Sequence, residues 1–297
     1  MGKVTKDRKR GRRLKPSPAR WVILAVAAIA LVAGGSIVYF SRPGATAGPK
    51  GAAVSAIEHV HGLAVDPSRP EVLWIGTHGS LIRVTGGKQW RRIGPQTYDM
   101  MGFNIHPTEP NVLLTSGHPG SRDRRPNPLG VEISRDAGQT WQPLAMAGLA
   151  DFHAMTISRA DPNRLWAWSP SGRPGLYRSL DGGRQWEYLR DPLPGGVFAL
   201  AAHPQRADIV LAGTARGLHI SEDAGLSWRL LAPSLSGIPV TAVEVHPKQP
   251  RIVYAYAVHP DLGLIRSEDG GQKWSAVGFF LGPRDAVGNI TLDPTNP

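Results

Sequence analysis

The chain has 297 residues, no cysteine and a formal net charge of +11. Without cysteine, disulfides, thiolate metal sites and cysteine nucleophiles are excluded. Nine Lys/Arg and one Asp fall within residues 1–20, so +8 of the charge lies there and +3 is spread over the remaining 277 residues; this is a basic tail on an ordinary surface and excludes a nucleic-acid groove.

The tail, 1–20, leads into the uncharged twenty-residue stretch Trp21–Phe40, "WVILAVAAIALVAGGSIVYF". As a helix it would be roughly 30 Å long, about the thickness of a bilayer core. Basic residues stay on the cytoplasmic side, so 21–40 reads as a single-pass membrane anchor with everything after it outside the cytoplasm. The competing reading is a cleavable signal, for which Ala45-Thr46-Ala47 supplies small residues at a cut site; the domain would then be secreted. Residues 41–56, opening with "SRPGATAGPKGAA", are a Pro/Gly/Ala linker.

From 57 to 297 the sequence repeats. A short apolar run closed by Asp-Pro or His-Pro ("GLAVDP", "GFNIHP", "ALAAHP", "AVEVHP", "NITLDP") is followed by a second run ("EVLWIGTH", "NVLLTSGH", "DIVLAGTA", "RIVYAYAV") and a third ("SLIRVT", "GVEIS", "GLYRS", "GLHIS", "GLIRS"). A fourth begins at the Trp of a recurring frame, Ser-x-Asp-x-Gly-x-x-Trp, which ends at Trp141, Trp186, Trp228 and Trp274, with a worn version at Trp90. Four short strands per unit, recurring every 40–50 residues or so, predict the four-stranded blades of a β-propeller. The fold expected is all-β, with five complete blades and the inner strand of a sixth, since "DPTNP" at 293–297 matches segments that elsewhere lead straight into a second strand. We read this as a six-bladed ring cut short, preceded by one transmembrane helix.

In the recurring frame, Ser and Asp can bond backbone groups of the turn, Gly can supply positive φ and Trp can pack between blades. On these residues the chain resembles the Asp-box (BNR) repeat propellers over 58–297, a group that includes sialidases and, more distantly, sortilin-type receptors. Its layout is similar to bacterial, membrane-anchored, sialidase-like glycosylhydrolases. The resemblance implies a propeller fold at the outer side of a bacterial cytoplasmic membrane. It does not carry over sialidase activity: the Arg-Ile-Pro signature is absent, and Arg122, Arg124, Arg125 and Arg284 match no arginine triad.

Strand order assigns the two faces. The Pro-closed turns and the Ser-x-Asp turns lie below, where His106, His203 and His246 share one repeat position with Asp66, Asp161 and Asp293 and read as turn residues. Above lie the segments leading into each inner strand and the corners between second and third strands. These gather Glu58, Asp99, Asp151 and Asp285; His59, His61, His78, His118, His153 and His259; and Met100, Met101 and Met155.

Three functions compete for this face. The first is a metal site with His59, His61, His118 and His153 as ligands for Cu or Zn; thioethers at Met100 and Met155 would favour Cu(I), with Glu58, His78 and Asp285 as further binding residues. The second is glycoside hydrolysis, with Asp99 and Asp151 as the carboxylate pair and Tyr98 in the role a sialidase-like mechanism gives to tyrosine. The third is a non-catalytic propeller that binds a glycan, a peptide or an envelope protein, with the loop 119–130 as a contact arm or a merely solvated loop. Binding ranks above catalysis. The pattern Asn289-Ile290-Thr291 is a glycosylation sequon placed in an inner strand and is set aside.

Overall fold

Strands buried on both faces read as unbroken apolar runs rather than alternating ones. Val72–Thr77 and Leu165–Ser169 are buried at every position. Such a strand needs cover on both sides, which a radial stack of sheets provides. The computed structural model describes residues 36–37, 54, 57, 59–190, 193–282 and 285–295.

A two-residue strand, β1 (Ser36–Ile37), comes first, and five antiparallel four-stranded sheets follow. Blade 1 is β2–β5 (Val60–Val65, Val72–Thr77, Leu81–Thr85, Gln89–Ile93) and blade 2 is β6–β9 (Met101–Ile105, Leu113–Ser116, Val131–Ser134, Gln142–Ala145). Blade 3 is β10–β13 (Ala154–Ile157, Leu165–Ser169, Gly175–Ser179, Glu187–Tyr188). Blade 4 is β14–β17 (Val197–Ala202, Val210–Thr214, Gly217–Ser221, Arg229–Leu230). Blade 5 is β18–β21 (Val240–Val245, Val253–Ala257, Gly263–Ser267, Ser275–Ala276), and β22 (Thr291–Leu292) follows it. Outermost strands are short and exposed, as in Gln142–Ala145 and Ser275–Ala276.

The innermost strands of the five blades and β22 succeed one another around an axis, β22 lying beside both β18 and β2. Two side chains tie this sixth position into the ring: Thr241 Oγ1 donates to Val287 O at 2.7 Å, and Asn289 Nδ2 donates to Val60 O at 3.2 Å. The expectation of five four-stranded blades is met; where a sixth inner strand was expected stands β22, two residues long and paired only with β1. β1 pairs antiparallel with β22, so Ser36–Ile37, at the end of the predicted 21–40 span, are extended rather than helical. The rest of that span and most of the linker lie outside the described residues, among which no helix is long and apolar enough to cross a membrane.

Adjacent blades bury apolar side chains between them. Trp74, Leu81, Met100, Phe103 and Leu113 fill the gap between blades 1 and 2. Blades 1 and 2 meet so closely that a Cβ on Gly62 would lie 2.6 Å from Phe103 Cβ, so only glycine fits there.

In each full repeat of the Ser-x-Asp frame, the Ser hydroxyl donates to the Asp carboxylate and accepts the Gly N–H, as at Ser134, Asp136 and Gly138 (2.8 Å each). Gly138 has φ of 83°, and in three of the four the Trp indole donates back to the Gly carbonyl. In every blade a backbone N–H of the turn between third and fourth strands donates to a carbonyl of the turn between first and second, as Ala137 N does to Asn111 O and Ala224 N to Asp208 O, both turns sharing the lower end. There His106, His203 and His246 each accept two backbone N–H bonds through Nδ1, the work done by Oδ1 of Asp66 in blade 1; in blade 3 the position expected for Asp161 is held by Ser158, whose Oγ accepts the Asp161 N–H, because Asp161 lies three residues further along the turn.

The ring surrounds a cavity of about 330 Å³ lined by all five inner strands and the segment before β22. His61 and His153, at the upper ends of their strands, stand at its mouth.

Candidate metal centre at the upper rim

Four of the five blades' inner strands shift register where they start, and in blade 1 the shift falls between Val60 and Gly62. His61 is the bulged residue, and a bulge re-aims a side chain that regular pairing would fix. His59, just before it, holds a positive φ of 25°, a conformation that costs a non-glycine residue about 1–3 kcal/mol.

These distortions bring His61 to His78, at the corner between β3 and β4, with ring centroids 4.3 Å apart. Between them sits the Asp99 carboxylate, leading into blade 2: Oδ1 is 3.4 Å from His61 Nε2 and Oδ2 is 3.4 Å from His78 Nδ1. One blade further on the arrangement returns. Asp151 leads into blade 3, and its Oδ2 lies 3.1 Å from Nε2 of His118, at the corner between β7 and β8, and 2.7 Å from Nε2 of His153. In each group the three ligand atoms lie within 4.8 Å of one another. The centres are joined through the main chain, since Asp99 N donates to His118 O at 3.1 Å.

Both carboxylates are largely shielded, with side-chain exposures of 11% for Asp99 and 4% for Asp151. Nevertheless Asp99 Oδ1, Asp151 Oδ1 and His61 Nε2 are buried without a hydrogen-bond partner. Burial lowers the His61 pKa, an effect that Asp99 opposes and the neighbouring imidazoles His78, His59 and His153 reinforce. Burial also resists ionisation of Asp151, but the hydrogen bond and charge of His153, with those of His118, outweigh it and hold the carboxyl below the usual range. His118 is pushed up, chiefly by its hydrogen bond to Asn127, with Asp151 adding to this against the cost of burial.

The loop 119–130 exposes Arg122 and Arg124 to solvent but is anchored by Arg125. Arg125 bonds Asp123 through Nε (2.8 Å) and Nη2 (2.6 Å), reaches the buried Glu132 through Nη1 at 2.6 Å, and lies 4.6 Å from the ring centroid of Tyr98. The loop so anchored presents Asn127 Oδ1 to His118 Nδ1 at 2.7 Å. As Asn127 Oδ1 can only accept, Nδ1 of His118 is protonated in this bond, and Nε2, turned toward the Asp151 carboxylate, must carry a proton too wherever the two hydrogen-bond. Neither Asn127 nor Glu132 was expected from sequence; Glu132 had a signal, since blades 3, 4 and 5 carry Tyr177, His219 and Ile265 at its repeat position.

The other sequence candidates separate. His59 joins the first group's periphery, its ring 5.1 Å from His78. Met100 is fully buried in the core between blades 1 and 2, and Met155 packs in the core between blades 2 and 3, so neither thioether completes a ligand set. Tyr98 is buried against Trp141 and beneath Arg125; burial raises its pKa far above the ordinary phenol range. Asp285 is exposed in a loop and belongs to neither group, and His259 is exposed with Nδ1 accepting the Asp261 N–H. Glu58 and Arg284 lie outside the described residues.

No protein-family model and no curated protein sequence matches the chain. Solved structures do resemble it in fold. The glycoside hydrolase family 74 xyloglucanase from Xanthomonas campestris superposes with a TM-score of 0.57 at 19% identity, over 80% of this chain and 42% of that one. An ancestral family 74 enzyme gives 0.55 at 17% identity, over 77% of this chain and 32% of that one. A chain of a nidogen–laminin complex gives 0.58 at 16% identity, over 80% and 88%. The chain thus spans less than half the length of either hydrolase. At these identities the likeness establishes the β-propeller fold and nothing narrower.

Proposed function

We propose that this protein is a metal-binding propeller of the Asp-box type, holding a divalent transition metal at each of two His₂Asp centres, His61/His78/Asp99 and His118/Asp151/His153. One observation carries the reading: Asp99 Oδ1, Asp151 Oδ1 and His61 Nε2, all within the two groups, are buried and make no hydrogen bond, although Asp99 Oδ1 and His61 Nε2 lie 3.4 Å apart. A buried polar atom without a partner costs about 1–3 kcal/mol, and an ion would turn that cost into coordination. Two imidazoles and a carboxylate suit Zn²⁺ or Cu²⁺, and three protein ligands leave a position for water or a ligand atom. With Met100 and Met155 packed into the core, the argument for Cu(I) falls away.

The open position would take an oxygen or nitrogen donor from a glycan or peptide lying on the rim. The basic tail and residues 21–40 support anchoring in a cytoplasmic membrane with the propeller outside. A glycoside hydrolase reading rests on the same two carboxylates. In that case Asp151, held ionised by two imidazoles, would act as base or nucleophile and not as general acid.

The test is metal analysis and zinc calorimetry on the purified full chain, repeated with copper. Two ions per chain are expected, falling to one in Asp99→Asn and one in Asp151→Asn. No retained metal and no heat in the wild-type protein would end the metal reading. Hydrolysis of a fluorogenic glycoside that is lost in Asp151→Asn would put the enzyme in its place.

A further inference from the structure

Below the rim, the axial cavity has a composition that the metal reading does not use. Glu244, on β18, is the one acidic side chain among the described residues that line it, and no lysine or arginine lines the 330 Å³ chamber. Arg159 borders only the narrower space beneath, which Glu244 also borders. Among the described residues, Glu244 forms no ion pair and no hydrogen bond that would neutralise it.

Two amides add acceptors at different heights: Asn104, like Glu244, borders the space beneath, and Asn289 stands higher, beside the start of β2. Asn104 spends its Nδ2 on Gly102 O (3.1 Å) and Met155 O (2.8 Å), and Asn289 spends its Nδ2 on Val60 O (3.2 Å). Backbone carbonyls only accept, so these bonds fix both amides with nitrogen on the wall and leave each Oδ1 as an unused acceptor. The chamber therefore offers one carboxylate and two amide oxygens with no matching charged donor. Val197, Leu200 and Ile290 border it but pack their side chains into the cores between blades, whereas Phe198 remains 48% exposed. A large aromatic face left uncovered beside acceptors suits the body or the charge of an organic cation.

We propose that the axial chamber binds a small organic cation, a primary ammonium or guanidinium on a short apolar body, with its charged head on Glu244 and Asn104 Oδ1 and its body rising past Asn289 toward Phe198. The volume falls at the lower end of the range for small-molecule sites. Free Glu244 has its pKa raised to about 7 by burial, with Arg159 opposing; His61 and His153 at the mouth are the other titratable groups on the chamber. The carboxyl must lose its proton to pair with the cation, so affinity falls as pH drops below about 7.

The inference is independent of the rim metals, and the experiment is run on the full chain with a chelator present throughout. The probes are n-butylamine and n-butylguanidine, with butanoate and 1-butanol as controls, read by calorimetry and ligand-observed NMR at pH 8. The two cations are expected to bind and butanoate is not. Glu244→Gln should weaken the cations at least about tenfold, as expected for loss of a charge-assisted bond. Affinity should drop about tenfold per pH unit below pH 7 in the wild-type protein and stay flat in Glu244→Gln. Phe198→Ala and Asn289→Ala should each weaken binding severalfold, which keeps the proposal testable should Glu244→Gln fail to fold. Failure of the wild-type protein to bind either cation, equal binding of 1-butanol or butanoate, or undiminished affinity in all three variants would overturn it.

Discussion

The same residue type serves two ends of this propeller in opposite ways. Below, His106, His203 and His246 accept two backbone N–H bonds each through Nδ1 and do the work that Asp66 does in blade 1. Above, His61, His78, His118 and His153 converge on two carboxylates, Asp99 and Asp151, whose Oδ1 atoms are buried without a hydrogen bond. Repeat position sets the two groups apart, and so does Nδ1, which the main chain takes in each of the lower histidines.

The comparison breaks most sharply at the rim. Substituting Asp151 by Ala removes one of three donors and should reduce zinc affinity at that centre by at least ~100-fold, with His106→Asn as an unaffected control, both read by competition with a chromophoric chelator. Asn127→Ala should weaken the same centre by about 10-fold and leave the first centre unchanged, because only the tautomer and aim of His118 are lost. If both centres respond equally, the loop is acting on the whole rim and not through His118.

Acid sharpens the contrast at the lower end. Burial holds His106, His203 and His246 below the ordinary imidazole pKa. Their stabilisation is full above the unfolded value, about 6.5, and is lost as pH falls through it toward the folded values. Replacing all three by Asp, as blade 1 already has at Asp66, should move the onset of that loss to below about pH 4, seen as a melting temperature that no longer falls between pH 7 and 5. The smallest effect expected is from Asp223→Ala in a single turn, about 1–2 kcal/mol by denaturant titration, since its carboxylate binds Ser227 N and the hydroxyls of Ser221 and Ser227.

Much of this was legible beforehand. The repeats gave the blades, and strand order put Asp99, Asp151 and the histidines on one face. The pairing within that face was not legible. Alternation along a strand cannot say that His61 sits in a bulge, or that Met100, next to Asp99, turns into the core. Tyr98 and Glu132 were hidden for the same reason: whether a polar residue in a loop or strand is buried depends on what crosses over it, here Arg125. Glu244 and Asn104 lie in inner strands read only as apolar runs, Asn289 reads only as a sequon, and the three border one chamber only because the ring closes.

The contact between Gly62 and Phe103 has an evolutionary corollary. A methyl group at 62 would wedge the first two blades apart and lengthen the span from His61 to Asp99, so drift at this glycine should be constrained by rim chemistry as much as by stability. Homologues that retain the paired histidines should keep it, whereas those that have lost them are free to fill the gap and shrink the aromatic ring opposite.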